Sequence, residues 1–452
     1  MRSRIVLYAG LAAWIANVVI LWLGAAPLGH DEAQYAIAAQ DLIAGKYVRW
    51  FYLSKGMNLV ALPGALAGGG ELALRLVPML LAIAFIFAAA HMAWRTVGAT
   101  AAGWVVAVLA GTRSLAIQSS ELLSDVPSAT FLLLGTTTLV GELARDDGPR
   151  WRVIIAAPLF AAAFYLRYAS CIPIAIVGLV AVAVWFQRFA RRPAPIVVLA
   201  LAFVGLLVPH ALGAIETMGS PFGILLESRA VTDQFVGQGL VEYVTANPFV
   251  FYGLLAPIVM VVGLCALRRD RMAIALWLIA VASIVGIGLT THARARYVFF
   301  PMTLLVILGV GELVRRIGAL PERIRRVLVP ALGVVLAIVW ILVARTQARV
   351  ADHRRVSMAA TLAASRAIRG DSGGARCRVL GAHNTQLEHY TGCWGNMDAE
   401  LRQVSRDPRV YVVDDRSKHW AAPWRPDFAT LPGKPVSILE QPAVTVYRLD
   451  PD

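Results

Sequence analysis

The segment Gly29-His30-Asp31-Glu32-Ala33-Gln34-Tyr35-Ala36 places two adjacent carboxylates directly after the first long apolar run of the chain. A carboxylate so placed can take a proton from a hydroxyl as a general base, or it can cap the helix that follows. Tyr35, Ala38 and Leu42 recur at helical spacing and Gly45 stands where such a helix would stop, so Asp31 is expected as the N-cap, with Gln34 completing a capping box. The two roles are compatible. A second acidic site lies in Ser120-Glu121-Leu122-Leu123-Ser124-Asp125-Val126-Pro127, just before another apolar run. Here too the plain alternative is capping, by Ser124 or Asp125, with Pro127 in the first turn. Lys46, Arg49, Lys55, Arg113, Arg167, Arg294 and Arg296 fall on the same side of the apolar runs as these acids, several of them close to the ends of the runs, where a charge is expensive unless paired or hydrated. They can pair with Asp31, Glu32, Glu71, Glu121 and Asp125, or they can bind an anion such as a lipid phosphate. His292-Ala293-Arg294-Ala295-Arg296-Tyr297 is the densest of these segments.

The elements that must position these groups are membrane helices. Of the 452 residues 58% are hydrophobic and only 15% charged, against about 45–50% and 25% in soluble domains, and the mean hydropathy is +0.66. That composition excludes a disordered chain, a collagen-like repeat and a disulfide scaffold, and it argues against a soluble enzyme. About eleven apolar runs approach the length of a span, beginning near Ile5, Leu72, Ala101, Val126, Val153, Cys171, Ile196, Phe249, Ala273, Val298 and Val327. The first is read as a transmembrane helix, not as a cleavable signal peptide. The net charge of +14 follows topology and calls for no nucleic-acid partner. With the N-terminus in the cytoplasm, the clusters at Arg2, Arg4, Arg95, Arg145, Arg188, Arg268, Arg315 and Arg325 all fall inside. An odd number of spans then puts the C-terminal tail outside. Three large outer segments result: Leu28 to Gly70, Glu216 to Asn247, and the tail, giving a membrane domain over 1–345 and an extracytoplasmic domain over 346–452.

The tail carries a helical stretch from His353 to Ile368 and three strand-like stretches, Cys377 to Ala382, Val410 to Val413 and Val444 to Leu449. The expected fold is therefore an all-α polytopic membrane protein of about eleven transmembrane helices with a small C-terminal α/β domain. In an oxidising compartment Cys377 and Cys393 are expected to form a disulfide worth roughly 3 kcal/mol. Cys171 and Cys265 lie in apolar runs and are expected to pack as small hydrophobes. His91 and His210 read as packed or hydrogen-bonded interior histidines, His383 and His389 show no metal spacing, and Asn17 reads as an interhelical hydrogen bond. The sequence has no Walker A, GxGxxG, HExxH or CxxC motif, which argues against nucleotide-driven transport and a soluble-type metal site.

Taken together, the His30-Asp31-Glu32-Ala33-Gln34-Tyr35-Ala36 segment, the Gly68-Gly69-Gly70-Glu71-Leu72-Ala73-Leu74-Arg75-Leu76-Val77-Pro78 stretch, Ser124-Asp125-Val126-Pro127, Leu166-Arg167-Tyr168 and Arg294-Ala295-Arg296-Tyr297 resemble a known pattern. It is that of the polyprenyl-phosphate-dependent glycosyltransferases of the GT-C fold, in the branch of protein O-mannosyltransferases and the aminoarabinose transferase of lipid A (families 39 and 83). The chain departs from it at Ser54-Lys55-Gly56-Met57-Asn58-Leu59, where many members carry a His-Pro-Pro or Lys-Pro-Pro stretch. The resemblance implies an inverting transfer of a monosaccharide from a polyprenyl-phosphate donor to a lipid, glycan or protein hydroxyl at the outer face of a bacterial inner membrane. In it Asp31 would be the base, and Glu32 and Asp125 would orient Asp31. Alternatively, Asp31 and Asp125 would help bind a divalent cation. Lys55, Arg167, Arg294 and Arg296 would hold the donor phosphate. A transporter or flippase of lipid-linked sugars accounts for the spans and the outer cations equally well, but not for two acids confined to one face of the membrane.

Overall fold

The computed structural model describes residues 2–24, 26–46, 53–227, 236–245, 264, 270–290, 294–395, 409–416, 431 and 433–450. The expected span near Phe249, as well as Arg49, Cys265 and His292, lies outside the described residues. Two compact units are present: one of residues 1–23, 50–60 and 75–347, the other of 24–49, 61–74 and 348–452.

The first unit is helical. Among the described residues seven helices are long and apolar enough to cross a membrane: Arg4–Leu23, Glu71–Val97, Asp125–Leu143, Ala194–Met218, Arg271–Gly288, Arg296–Gly318 and Glu322–Ser357. Ala99–Ala110, Trp151–Leu166 and Tyr168–Val184 are apolar but shorter. At a rise of about 1.5 Å per residue a 12-residue helix such as Ala99–Ala110 reaches about 18 Å, well short of a hydrocarbon core of about 30 Å. Helices in lipid gain no hydrophobic energy from one another, so they are held by close packing and by polar contacts. Trp14, Phe85, Leu109, Leu115 and Phe299 are fully buried in one continuous core. Within it the Trp14 indole donates to the Ala82 carbonyl at 3.0 Å. Asn17 is buried, but its Nδ2 has no hydrogen-bond partner among the described residues.

The second unit holds a five-stranded sheet in the order β2-β1-β3-β5-β4, with β1 Arg378–Gly381, β2 Trp394–Gly395, β3 Val410–Asp415, β4 Lys434–Gln441 and β5 Val444–Asp450. β1 pairs parallel with β2 and β3, while β3–β5 and β4–β5 are antiparallel. The helix Asn384–Thr391 makes the crossover between β1 and β2, as a parallel pair requires. Ala364, Ile368, Val379, Leu387, Tyr411, Val413, Val444 and Val446 form the core between helices and sheet. The single helix expected over His353 to Ile368 is in fact two. One ends at Ser357 and the next begins at Ala359, because Met358 takes φ −94° and ψ 0° and breaks the helical repeat.

A disulfide joins Cys377, just before β1, to Cys393, just before β2. It closes a separation of 16 residues. Replacing both cysteines by alanine is expected to destabilise this unit by about 3 kcal/mol, read as earlier cleavage of the tail in limited proteolysis across a denaturant series.

Candidate active site

In the first unit Asp125 opens its helix as the first helical residue. Its N-cap, Ser124, makes no side-chain capping bond. The carboxylate is turned instead to two arginines. Arg167 pairs with Oδ1, and Arg296 Nε lies 3.5 Å from Oδ2. The acid is the deeper group, with its side chain 3% exposed against 14% for Arg167 and 27% for Arg296. Each arginine is delivered by a break in a helix. Arg167 is extended (φ −156°, ψ 109°) between the helix Ala156–Leu166 and the short turn Tyr168–Ser170. Arg296 sits in the short 3₁₀ turn Ala295–Val298 that leads into Phe299–Gly318. The Arg167 guanidinium stacks over the Tyr297 ring at 3.5 Å from its centroid, and Arg296 lies 5.8 Å from the same ring. Ser128 hydroxyl bonds, 3.1 Å to the Ala163 carbonyl and 2.6 Å to the Ser170 hydroxyl, lock the three helices that meet here.

Asp125, Ser128, Arg167, Ser170, Arg296 and Tyr297 enclose a cavity of about 20 Å³, room for about one water. Both guanidiniums are held by the Asp125 carboxylate, and they present planar donors of the kind that match an oxyanion.

Lys55 is exposed at the start of the helix Lys55–Leu66, and its backbone N–H donates to the Tyr168 hydroxyl at 3.2 Å. Lys55 and Arg167 are thus tied to one another through Tyr168. Gly56 allows the approach: a Cβ there would stand 2.7 Å from the Tyr165 carbonyl carbon. His210 is buried edge-on to Phe164, with ring centroids 4.8 Å apart, and against Tyr168 at 4.6 Å. Arg294 is exposed and is fixed by its backbone, whose carbonyl accepts from the Tyr243 hydroxyl at 3.1 Å. It makes no ion pair with Asp125 among the described residues.

Asp31 and Glu32 belong to the second unit. The helix His30–Ile43 is capped by Gly29, so the expected capping box is corrected. Glu32, not Gln34, reaches back, and its Oε2 accepts from the Gly29 N–H at 2.8 Å. Asp31 is not the N-cap but lies inside the first turn, half-buried. Gly45 takes φ +63° just past the helix end, as a stop there requires. Glu32 is 2% exposed and also receives Arg354 Nη1 at 3.3 Å. The Leu28 N–H donates to the Tyr390 hydroxyl at 2.9 Å, and that hydroxyl donates to Glu71 Oε1 at 2.9 Å. Arg355 bonds the Gly24 carbonyl. Three side chains of the tail therefore fix the segment that carries Asp31.

Two histidines lie close by. Burial pushes His389 down to about 4, opposed by Glu71 and Glu32 and assisted by Arg369. Burial also lowers His383, which faces Asp415 at 3.6 Å. For His389 the unfolded chain takes up a proton near its ordinary 6.5 while the folded chain does not. Its share of stability is therefore complete above about pH 6.5 and is lost as the pH falls toward 4. His389→Gln is expected to flatten that part of the profile when unfolding of this unit is followed by tail proteolysis from pH 7 to 4.

Among the described residues no three His, Cys, Asp or Glu side chains group to hold a metal ion. Asp125 itself does not fit a dication, because its carboxylate is already neutralised by two guanidiniums. Tyr297, Ser128, Ser170, Arg354 and Tyr390 were not singled out from sequence. Only Tyr297, inside the densest basic segment, carried a local signal.

No protein-family model matches this sequence, and no curated protein matches it. Solved structures do. The crystal structure of ArnT from Cupriavidus metallidurans in the apo state superposes with a TM-score of 0.68 at 14% identity, covering 96% of this chain and 97% of ArnT. The same ArnT bound to undecaprenyl phosphate gives 0.67 at 14% identity, with 98% and 97% covered. The oligosaccharyltransferase of Archaeoglobus fulgidus, in complex with Zn and sulfate, gives 0.59 at 14% identity, covering 90% of this chain and 68% of its own. The fold is the GT-C fold of these membrane proteins, helical with a small C-terminal sheet domain.

Proposed function

We propose that this chain is an inverting glycosyltransferase of the membrane. It moves a monosaccharide from a polyprenyl-phosphate donor to a hydroxyl of an envelope lipid, glycan or protein. The observation that carries this reading is the buried Asp125 carboxylate holding Arg167 and Arg296 in fixed orientation. The ArnT fold, seen elsewhere with undecaprenyl phosphate bound, supports it.

A polyprenyl phosphate leaves without being protonated, so the departing group needs only cations to stabilise its charge. Arg167 and Arg296 supply them, preorganised by Asp125. Lys55 and Arg294, both exposed, complete the phosphate-binding set. The acceptor hydroxyl must lose its proton, and Asp31 takes it. The new glycosidic C–O bond forms on the face opposite the breaking bond to the phosphate oxygen, which inverts the anomeric carbon. Glu32 positions Asp31 by fixing the first turn of its helix to Arg354. We place this chemistry on the extracytoplasmic face of a bacterial inner membrane.

The test is mass spectrometry of envelope glycans and lipid-linked sugars in cells with the wild-type gene, a deletion, or Asp31→Asn. The expected result is one sugar missing from an envelope component in both mutants, with its polyprenyl-phosphate form accumulating. A defect in the deletion alone would return Asp31 to a purely structural role and favour transport of the lipid-linked sugar.

A further inference from the structure

A second cavity lies within the helical unit, away from the arginine cluster. It opens where the helices Arg2–Leu23, Ala99–Ala110, Phe299–Gly318 and Glu322–Ser357 converge, and its volume is about 360 Å³, within the range of small-molecule sites. Arg296 precedes one end of the helix Phe299–Gly318, and the cavity is lined from Val310 to Gly318 at the other. From Phe299 to Ile317 the helix rises about 27 Å, so the two sites are distinct.

The walls are hydrocarbon, with Val6, Trp104, Val108, Val310, Val314 and Leu336 among them. Water does not fill an apolar space of this kind, and the solvent around membrane helices is lipid chain. The charged groups of the lining are Glu322, Arg325 and Arg326, and Thr100 is polar as well. Arg326 is paired with Glu322 at 2.7 Å. Arg325 reaches the Gly318 carbonyl at 3.4 Å, a contact at the limit of a hydrogen bond. Residues 312–326 contain five arginines and two glutamates, a net positive charge beside an apolar hole.

We propose that this cavity binds an anionic glycerophospholipid, one acyl chain within the apolar walls and the phosphate headgroup on Arg325 and Arg326. Basic pockets between membrane helices recognise such headgroups by charge, and guanidinium matches phosphate with paired donors. The proposal does not depend on the transferase reading.

The purified, delipidated full chain is titrated with phosphatidylglycerol and, separately, with phosphatidylcholine of the same acyl chains, and bound lipid is counted by native mass spectrometry. One phosphatidylglycerol is expected to bind more tightly than phosphatidylcholine. Arg325→Gln and Arg326→Gln are both exposed changes that spare the fold. Each is expected to weaken phosphatidylglycerol about five-fold, ~1 kcal/mol per arginine, until the two lipids bind alike. Gly318 lines the cavity, and a Cβ there meets no atom within 4 Å, so Gly318→Phe is expected to occupy it and exclude both lipids. Equal binding of the two lipids to the wild type would overturn the proposal. So would phosphatidylglycerol binding that Gly318→Phe leaves unchanged.

Discussion

Asp31→Asn is expected to lower the turnover of sugar transfer by about 10²–10⁴-fold, the usual contribution of a positioned general base. The amide keeps the size of the carboxylate but cannot take the acceptor proton. The substitution leaves in place the Gly29 and Glu32 cap and the tie to the tail through Arg354, which hold the helix start. The loss should therefore fall on kcat with KM little changed, the sign of an interaction made in the transition state. Purified chain in nanodiscs with a synthetic polyprenyl-phosphate sugar provides the measurement. Glu32→Gln is the informative companion. It removes a nearly buried charge from Arg354 and should lower stability more than it lowers chemistry. A rate for Asp31→Asn within ten-fold of the wild type would sink the assignment of Asp31 as base.

Asp125→Ala is expected to cost about 3–5 kcal/mol of stability, because it removes the buried carboxylate that two guanidiniums share. The double change Asp125→Leu with Arg167→Met should regain much of that stability, since well-packed apolar groups often replace a buried pair at little cost. It should not regain donor binding. Arg167→Lys separates charge from geometry. It keeps the cation but loses the planar fork and the stacking on Tyr297, so KM for the donor should rise while thermal unfolding in detergent moves little. Full stability and full activity of Asp125→Ala would refute the clamp.

The apolar runs were legible because a membrane helix must satisfy its own backbone and face hydrocarbon along its length. Ten of the expected starts fall on apolar helices among the described residues, though three of those helices are short. The strands β1, β3 and β5 announced themselves through Val379, Val412, Val446 and their neighbours. β2, of two residues, and β4, whose Lys434, Pro435 and Glu440 suit an exposed edge, did not. At the site each charge was visible by itself, but the partnerships were not. Asp125 meets Arg296 across 171 positions, and Glu32 meets Arg354 across 322. No local pattern encodes contacts of that separation. The capping error has a local cause. Asp31 and Glu32 are adjacent and either can serve a cap, so sequence alone does not choose which carboxylate turns back to the helix start.

The unit that carries Asp31 is assembled from pieces made at opposite ends of synthesis. Leu28 must wait for Tyr390, 362 positions later, to complete its hydrogen bond. At about 5–20 residues per second that interval is roughly 20–70 s. Throughout it the early segment stands without its final partners, and the Cys377–Cys393 bridge forms only at the close. Maturation is thus gated by completion of the chain: a polypeptide stopped anywhere before Tyr390 would insert its helices and still lack an organised Asp31. Quality control that surveys the last hundred residues would in effect be surveying the first fifty.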